Sequence, residues 1–99
     1  MKELEMQMKM RKMLAPEAVV IETGRRAWPD VIVAWPDRAA FVELKRDTRK
    51  YGQTCRQSGM GALLELRGFT VFIYEARLET VPEFVRRLKT WRMNRESND

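Results

Sequence analysis

The chain has 99 residues, 44% of them hydrophobic, and carries a formal charge of +5 from 19 Lys and Arg against 14 Asp and Glu. That size predicts one domain with a small core, and incomplete burial at this length would gain from oligomer formation. The lone cysteine, Cys55, excludes an internal disulfide, and the lack of any histidine excludes His-coordinated zinc, His acid–base catalysis and a Ser-His-Asp triad.

Residues 1–14 read as a helix, with Met6, Met10, Met13 and Leu14 at i, i+4, i+7 and i+8. Leu4 and Met8 widen its apolar surface, Glu3 extends the Met6 line by one turn, and Pro16 ends it. Ala18 to Ile21 is a short strand, followed by a basic loop, Thr23-Gly24-Arg25-Arg26. Val31 to Trp35 and Ala39 to Leu44 read as strands joined at the Pro36-Asp37 turn, so they form a hairpin. A charged connection, Arg46 to Lys50, leads to a helix from about Tyr51 to Arg67, closed by Gly68. Phe69 to Tyr74 is a fourth strand. Thr80 starts a last helix, with Pro82 in its first turn and Val81, Phe84, Val85, Leu88 and Trp91 on its apolar side. The order α-β-β-β-α-β-α predicts an α/β (α+β) domain over residues 1–93, with a mixed sheet and helices on its faces, and a polar tail over 94–99.

No apolar run approaches the ~20 residues that span a bilayer, and the charged N-terminus has no signal-peptide core. With one cysteine, the expectation is a cytoplasmic protein. Its positive charge favours a polyanionic partner.

The chemistry concentrates between Trp28 and Lys45. Pro29 stiffens the backbone before Asp30, and twelve residues separate Asp30 from Glu43, enough for a strand, a tight turn and a return strand. The two carboxylates then fall near the same end of neighbouring strands, about 4.8 Å apart, where they can share a divalent cation. Without a cation they would repel. Glu43 and Lys45 share one face of their strand, while Leu44 points into the core and offers its carbonyl. Asp30, Glu43 and the Leu44 carbonyl are the expected metal ligands, and an all-oxygen set suits Mg²⁺ or Mn²⁺. Lys45 would orient the attacking water or stabilise developing charge on a phosphate. Neither Pro-Asp nor Glu-x-Lys is informative alone, since each is common in turns and salt-bridged surfaces. The combination on paired strands carries the reading.

Gly24-Arg25-Arg26-Ala27-Trp28-Pro29-Asp30 followed by Phe41-Val42-Glu43-Leu44-Lys45 resembles the VRR-NUC (virus-type replication–repair nuclease) branch of the PD-(D/E)xK nuclease superfamily. The similarity runs from the first helix through Tyr74. It implies a restriction-endonuclease-like αβββαβ core with a C-terminal helix, and Mg²⁺- or Mn²⁺-dependent DNA cleavage. For stand-alone members, including minimal phage proteins, it implies homodimers that act on branched DNA such as Holliday junctions. Carried over by residue, it implies Asp30, Glu43 and Lys45, a glutamine at Gln57 (with Gln53 the fallback) and a first-helix glutamate at Glu3 (with Glu5 the alternative). Ala27 departs from the pattern, which usually has glycine there.

Arg25, Arg26, Arg46 and Arg56 bracket the proposed site and are expected to hold flanking phosphates, while Arg49 and Lys50 read as a solvated rim. Gly59 and Gly61 inside a helix cost roughly 1 kcal/mol each relative to alanine, which a close approach of the sheet or a second subunit would explain. The methionines of residues 1–13 form a plastic contact surface suited to a dimer, or else simple core packing. The competing readings are a non-cleaving DNA-binding module with the same fold, and a nuclease for flaps, nicked duplex or RNA.

Overall fold

The computed structural model describes residues 3–45 and 58–94. Its elements run α1 (Glu3–Leu14), β1 (Val19–Glu22), β2 (Val31–Trp35), β3 (Arg38–Lys45), α2 (Gly59–Leu66), β4 (Val71–Glu75) and α3 (Val81–Met93). This is the expected αβββαβ order with a C-terminal helix, built on a four-stranded mixed sheet in the order β1-β2-β3-β4. The first three strands are antiparallel neighbours, and β4 joins β3 in parallel after the crossover that contains α2. Trp35 pairs with Arg38, leaving Pro36 and Asp37 as the two-residue hairpin loop. Among the described residues, no helix is long and apolar enough to cross a membrane.

Strand alternation sorts the sheet into two faces. Val20, Val31, Val33, Trp35, Val42, Leu44 and Tyr74 pack with Met6, Met10 and Leu14 of α1 and with Val81, Phe84, Val85 and Leu88 of α3. This inner face is the core. Burying each large side chain there contributes about 1.5–3 kcal/mol. Phe72 meets Phe84 and Trp91 edge-on at 6.1 and 5.6 Å, and the Tyr74 ring lies 5.1 Å from Phe84. Burial, helped by the negative charges of Glu79 and Glu83, pushes the Tyr74 phenol above its usual range, so it stays neutral. Arg38 stacks 3.7 Å over the Trp91 ring and donates to the Trp91 carbonyl at 2.7 Å, tying the hairpin to the last turn of α3.

Several boundaries differ from the sequence expectation. Met13 is 36% exposed and Leu4 and Met8 are exposed, because the buried line of α1 runs Met6, Met10, Leu14 and takes in Gln7. Strand β1 starts one residue late, as the Ala18 N–H still bonds the Leu14 carbonyl at the end of α1. The helix expected over residues 51–67 does not run unbroken. Ser58 has extended backbone and acts as an N-cap, its hydroxyl accepting from the Gly61 N–H at 2.9 Å. Gly59 and Gly61 therefore occupy the first turn of α2 rather than a helix interior, and Gly61 is buried there. At the other end, Gly68 takes φ +96°, its N–H bonds the Glu65 carbonyl and the Phe69 N–H bonds the Leu64 carbonyl. That is a Schellman cap. It uses the Phe69 N–H and delays β4 to Val71.

Candidate active site

The site begins with the loop that delivers Asp30. The Thr23 N–H bonds the Asp30 carbonyl at 3.0 Å, which extends the β1–β2 ladder by one pair, and the Thr23 hydroxyl donates to the Pro29 carbonyl at 2.6 Å. Between them the Trp28 N–H closes a turn onto the Arg25 carbonyl at 3.2 Å. Ala27, third in that turn, has φ +68°. A left-handed alanine costs about 1–2 kcal/mol, which gives a physical reason for glycine at this place. The Ala27 carbonyl in turn accepts from the Met60 N–H at 2.9 Å, so a free donor at the start of α2 is satisfied by the loop. Pro29 is buried. Main-chain bonds therefore fix Asp30 from both sides.

Pairing of Val31 with Val42 puts Asp30 beside Glu43 at the next step of the register. The Asp30 Oδ2 accepts from the Leu44 N–H at 2.7 Å. In a strand the N–H and C=O of one residue point to the same neighbour, so the Leu44 carbonyl also faces the Asp30 side. The Leu44 side chain lies on the inner face in the core. Glu43 and Lys45 project from the outer face, where the Lys45 ammonium sits 3.3 Å from Glu43 Oε2. Glu43 is only 6% exposed, and its second oxygen, Oε1, is buried without a hydrogen-bond partner among the described residues. A carboxylate oxygen in that state is costly unless a proton or cation compensates it.

No family model, curated protein or solved structure matches the chain.

The donors fit a hard divalent cation. Two carboxylates and a carbonyl are oxygen-only, and Mg²⁺ keeps several waters and needs few protein ligands. Among the described residues no group of three or more Asp, Glu, His or Cys side chains comes together to hold a metal. Any set built here would be two acidic side chains plus main chain. Glu75 pairs in register with Lys45 on the next strand, but its carboxylate is engaged by Arg77.

The remaining expected residues fall out as follows. Glu3 is the first residue of α1, and only its backbone is described; Glu5 is exposed. Gln57 and Gln53, expected on the helix after β3, precede the N-cap of α2 and lie outside the described residues, as do Arg46, Arg49, Lys50 and Arg56. Arg25 and Arg26 are exposed, and the Arg25 guanidinium lies 5.7 Å from the Trp28 ring centre. Sequence reasoning missed Gln7, which is 2% exposed on the buried face of α1. The available signal was its position, one turn before Met10 and two turns before Leu14 on the apolar stripe.

Proposed function

We propose that this chain is a divalent-metal-dependent DNA endonuclease of the PD-(D/E)xK kind, selective for branched DNA such as four-way junctions. The observation that carries the reading is the buried Oε1 of Glu43, without a hydrogen-bond partner among the described residues, on the strand position beside Asp30, whose carboxylate is held by the Leu44 N–H. The VRR-NUC-like sequence between Gly24 and Lys45 and the αβββαβ order support it. Asp30, Glu43 and the Leu44 carbonyl would hold Mg²⁺ or Mn²⁺. When bound, such an ion lowers the pKa of a water and neutralises charge on the phosphate. Leu44 orients the Asp30 carboxylate through its N–H, and the buried position of Glu43 keeps competing water from its oxygens. The Lys45 ammonium, half in solvent and 3.3 Å from Glu43, would orient the nucleophile and stabilise charge at the scissile phosphate. Arg25 and Arg26 supply exposed cations for flanking phosphates in a sequence-independent, salt-sensitive way. A homodimer in the cytoplasm completes the proposal: two such sites on one symmetric body suit paired cuts in a junction. Exposed Leu4 and Met8 on α1 leave apolar surface for such a contact.

The test is a supercoiled plasmid and a four-way junction incubated with Mg²⁺, with Mn²⁺ and with EDTA. Cleavage should need the metal and fall by roughly a thousandfold in Asp30→Ala. Binding without cleavage in either metal would make the chain a DNA-binding module instead, and no binding at all would remove DNA as its partner.

A further inference from the structure

The outer face of the sheet carries three aromatic rings that the proposed chemistry does not use. Trp28 lies 6.3 Å from Phe41, centre to centre, and Phe41 meets Phe69 edge-on at 5.9 Å. Phe69 is 52% exposed, and Trp28 and Phe41 are half-buried. Phe41 stands two residues before Glu43 on the same face of β3, a step of about 6.8 Å along the strand. Trp28 stands two residues before Asp30. The rings thus begin where the carboxylates end.

Each ring is set on fixed backbone. Trp28 closes the turn with Arg25, Phe41 bonds the Thr70 carbonyl from within the sheet, and Phe69 closes the Schellman cap of α2. Phe69 is the exposed ring, and the half-buried Trp28 and Phe41 pack in a row with it, so the three form a rigid apolar patch preorganised to receive a flat apolar ligand. The cation at their border, Arg25 over Trp28, identifies the polarity of that ligand: a π-face joined to an anion.

From this we infer that Trp28, Phe41 and Phe69 form a stacking platform for an unpaired base of DNA next to the scissile phosphate, with Arg25 and Arg26 on its backbone. The inference rests on the endonuclease reading and deepens it. Bases inside a duplex are already stacked on their neighbours and cannot lie on a protein ring, whereas an unpaired base can, whatever its identity. The platform would therefore select for single-stranded arms, gaps and open branch points without reading sequence.

The test separates binding from cutting. In an Asp30→Ala background without metal, fluorescence anisotropy is measured on a plain duplex and on the same duplex bearing a single-stranded arm. A third probe carries abasic residues in that arm. The base-bearing arm should bind about tenfold more tightly than the abasic arm. Trp28→Ala and Phe69→Ala should each erase most of that difference and leave duplex binding unchanged, while Trp28→Phe retains it. Equal binding of the base-bearing and abasic arms overturns the platform, and because that comparison changes only the DNA it is repeated with the wild type in EDTA, where it does not depend on how well any variant folds. Metal-dependent cleavage by the wild type, run in parallel, keeps the two ideas apart. If the wild type cuts branched DNA but ignores the missing bases, the platform fails and the endonuclease stands. If the wild type neither binds nor cuts DNA, both fail.

Discussion

At the scale of single residues, Glu43 concentrates the energetics of the site. One of its oxygens has Lys45 and the other has no partner among the described residues, which leaves a buried acceptor uncompensated there. Such groups cost about 1–3 kcal/mol. Glu43→Gln should therefore leave stability in EDTA within about 1 kcal/mol of the wild type, because the lost ion pair and the lost buried charge offset each other. Adding Mn²⁺ should raise the melting temperature of the wild type and not that of the variant. Equal stabilisation of both in a thermal melt would remove Glu43 from the ligands. The proximity of Asp30 to Glu43 was legible in the twelve-residue spacing, since a hairpin with a two-residue loop leaves little freedom of register. The hydrogen bond from the Leu44 N–H to Asp30 was not legible. It depends on a turn with a left-handed alanine, a conformation that propensity argues against.

At the scale of elements, end signals were read best where they were chemical rather than periodic. Thr80 and Pro82 announce α3, and the structure adds a full capping box: the Glu83 carboxylate accepts from the Thr80 N–H at 2.8 Å, and the Thr80 hydroxyl from the Glu83 N–H at 3.3 Å. The hydrogen bond from the Thr80 backbone, then that from its hydroxyl, holds the Glu83 carboxyl below its ordinary range. A lowered folded-state value means the contribution is present above the unfolded glutamate range and fades as pH falls through the folded value. Thr80→Ala should cost about 1 kcal/mol in urea denaturation at neutral pH. Glu83→Ala should also be less stable than the wild type at neutral pH, and that gap should narrow on acidification below about pH 4; a gap that stays constant would show the carboxylate is not the source. α2 starts at Gly59, later than the sequence expectation, because Ser58 caps it; Ser58-Gly59 is a weaker break signal than proline, and helix-compatible residues precede it in sequence. Gln7 and Met13 were exchanged across the surface of α1 for a related reason: a stripe defined by methionine alone has no way to admit a buried amide.

At the scale of the molecule, the outer edges of β1 and β4 pair with no further strand among the described residues, and each is met by an arginine. On β1 the even-numbered residues point away from β2, and Arg11 of α1 donates to the outward-facing Val20 carbonyl at 2.8 Å. On β4 the odd-numbered residues point away from β3, and Arg87 of α3 donates to the Ile73 carbonyl at 3.3 Å while paired with Glu79. Charged side chains at strand edges discourage pairing with a further strand. The double variant Arg11→Ala, Arg87→Ala should scatter light at a lower temperature than the wild type during slow heating, with each lost bond costing about 1 kcal/mol or less. An unchanged onset would mean that the edges are protected by other means. Both guanidiniums come from the helical layer rather than from the sheet they guard. Loosening of either helix would strip a strand of its cover while the other strands are still in register, so the first step of melting and the first step of clumping would be one and the same event.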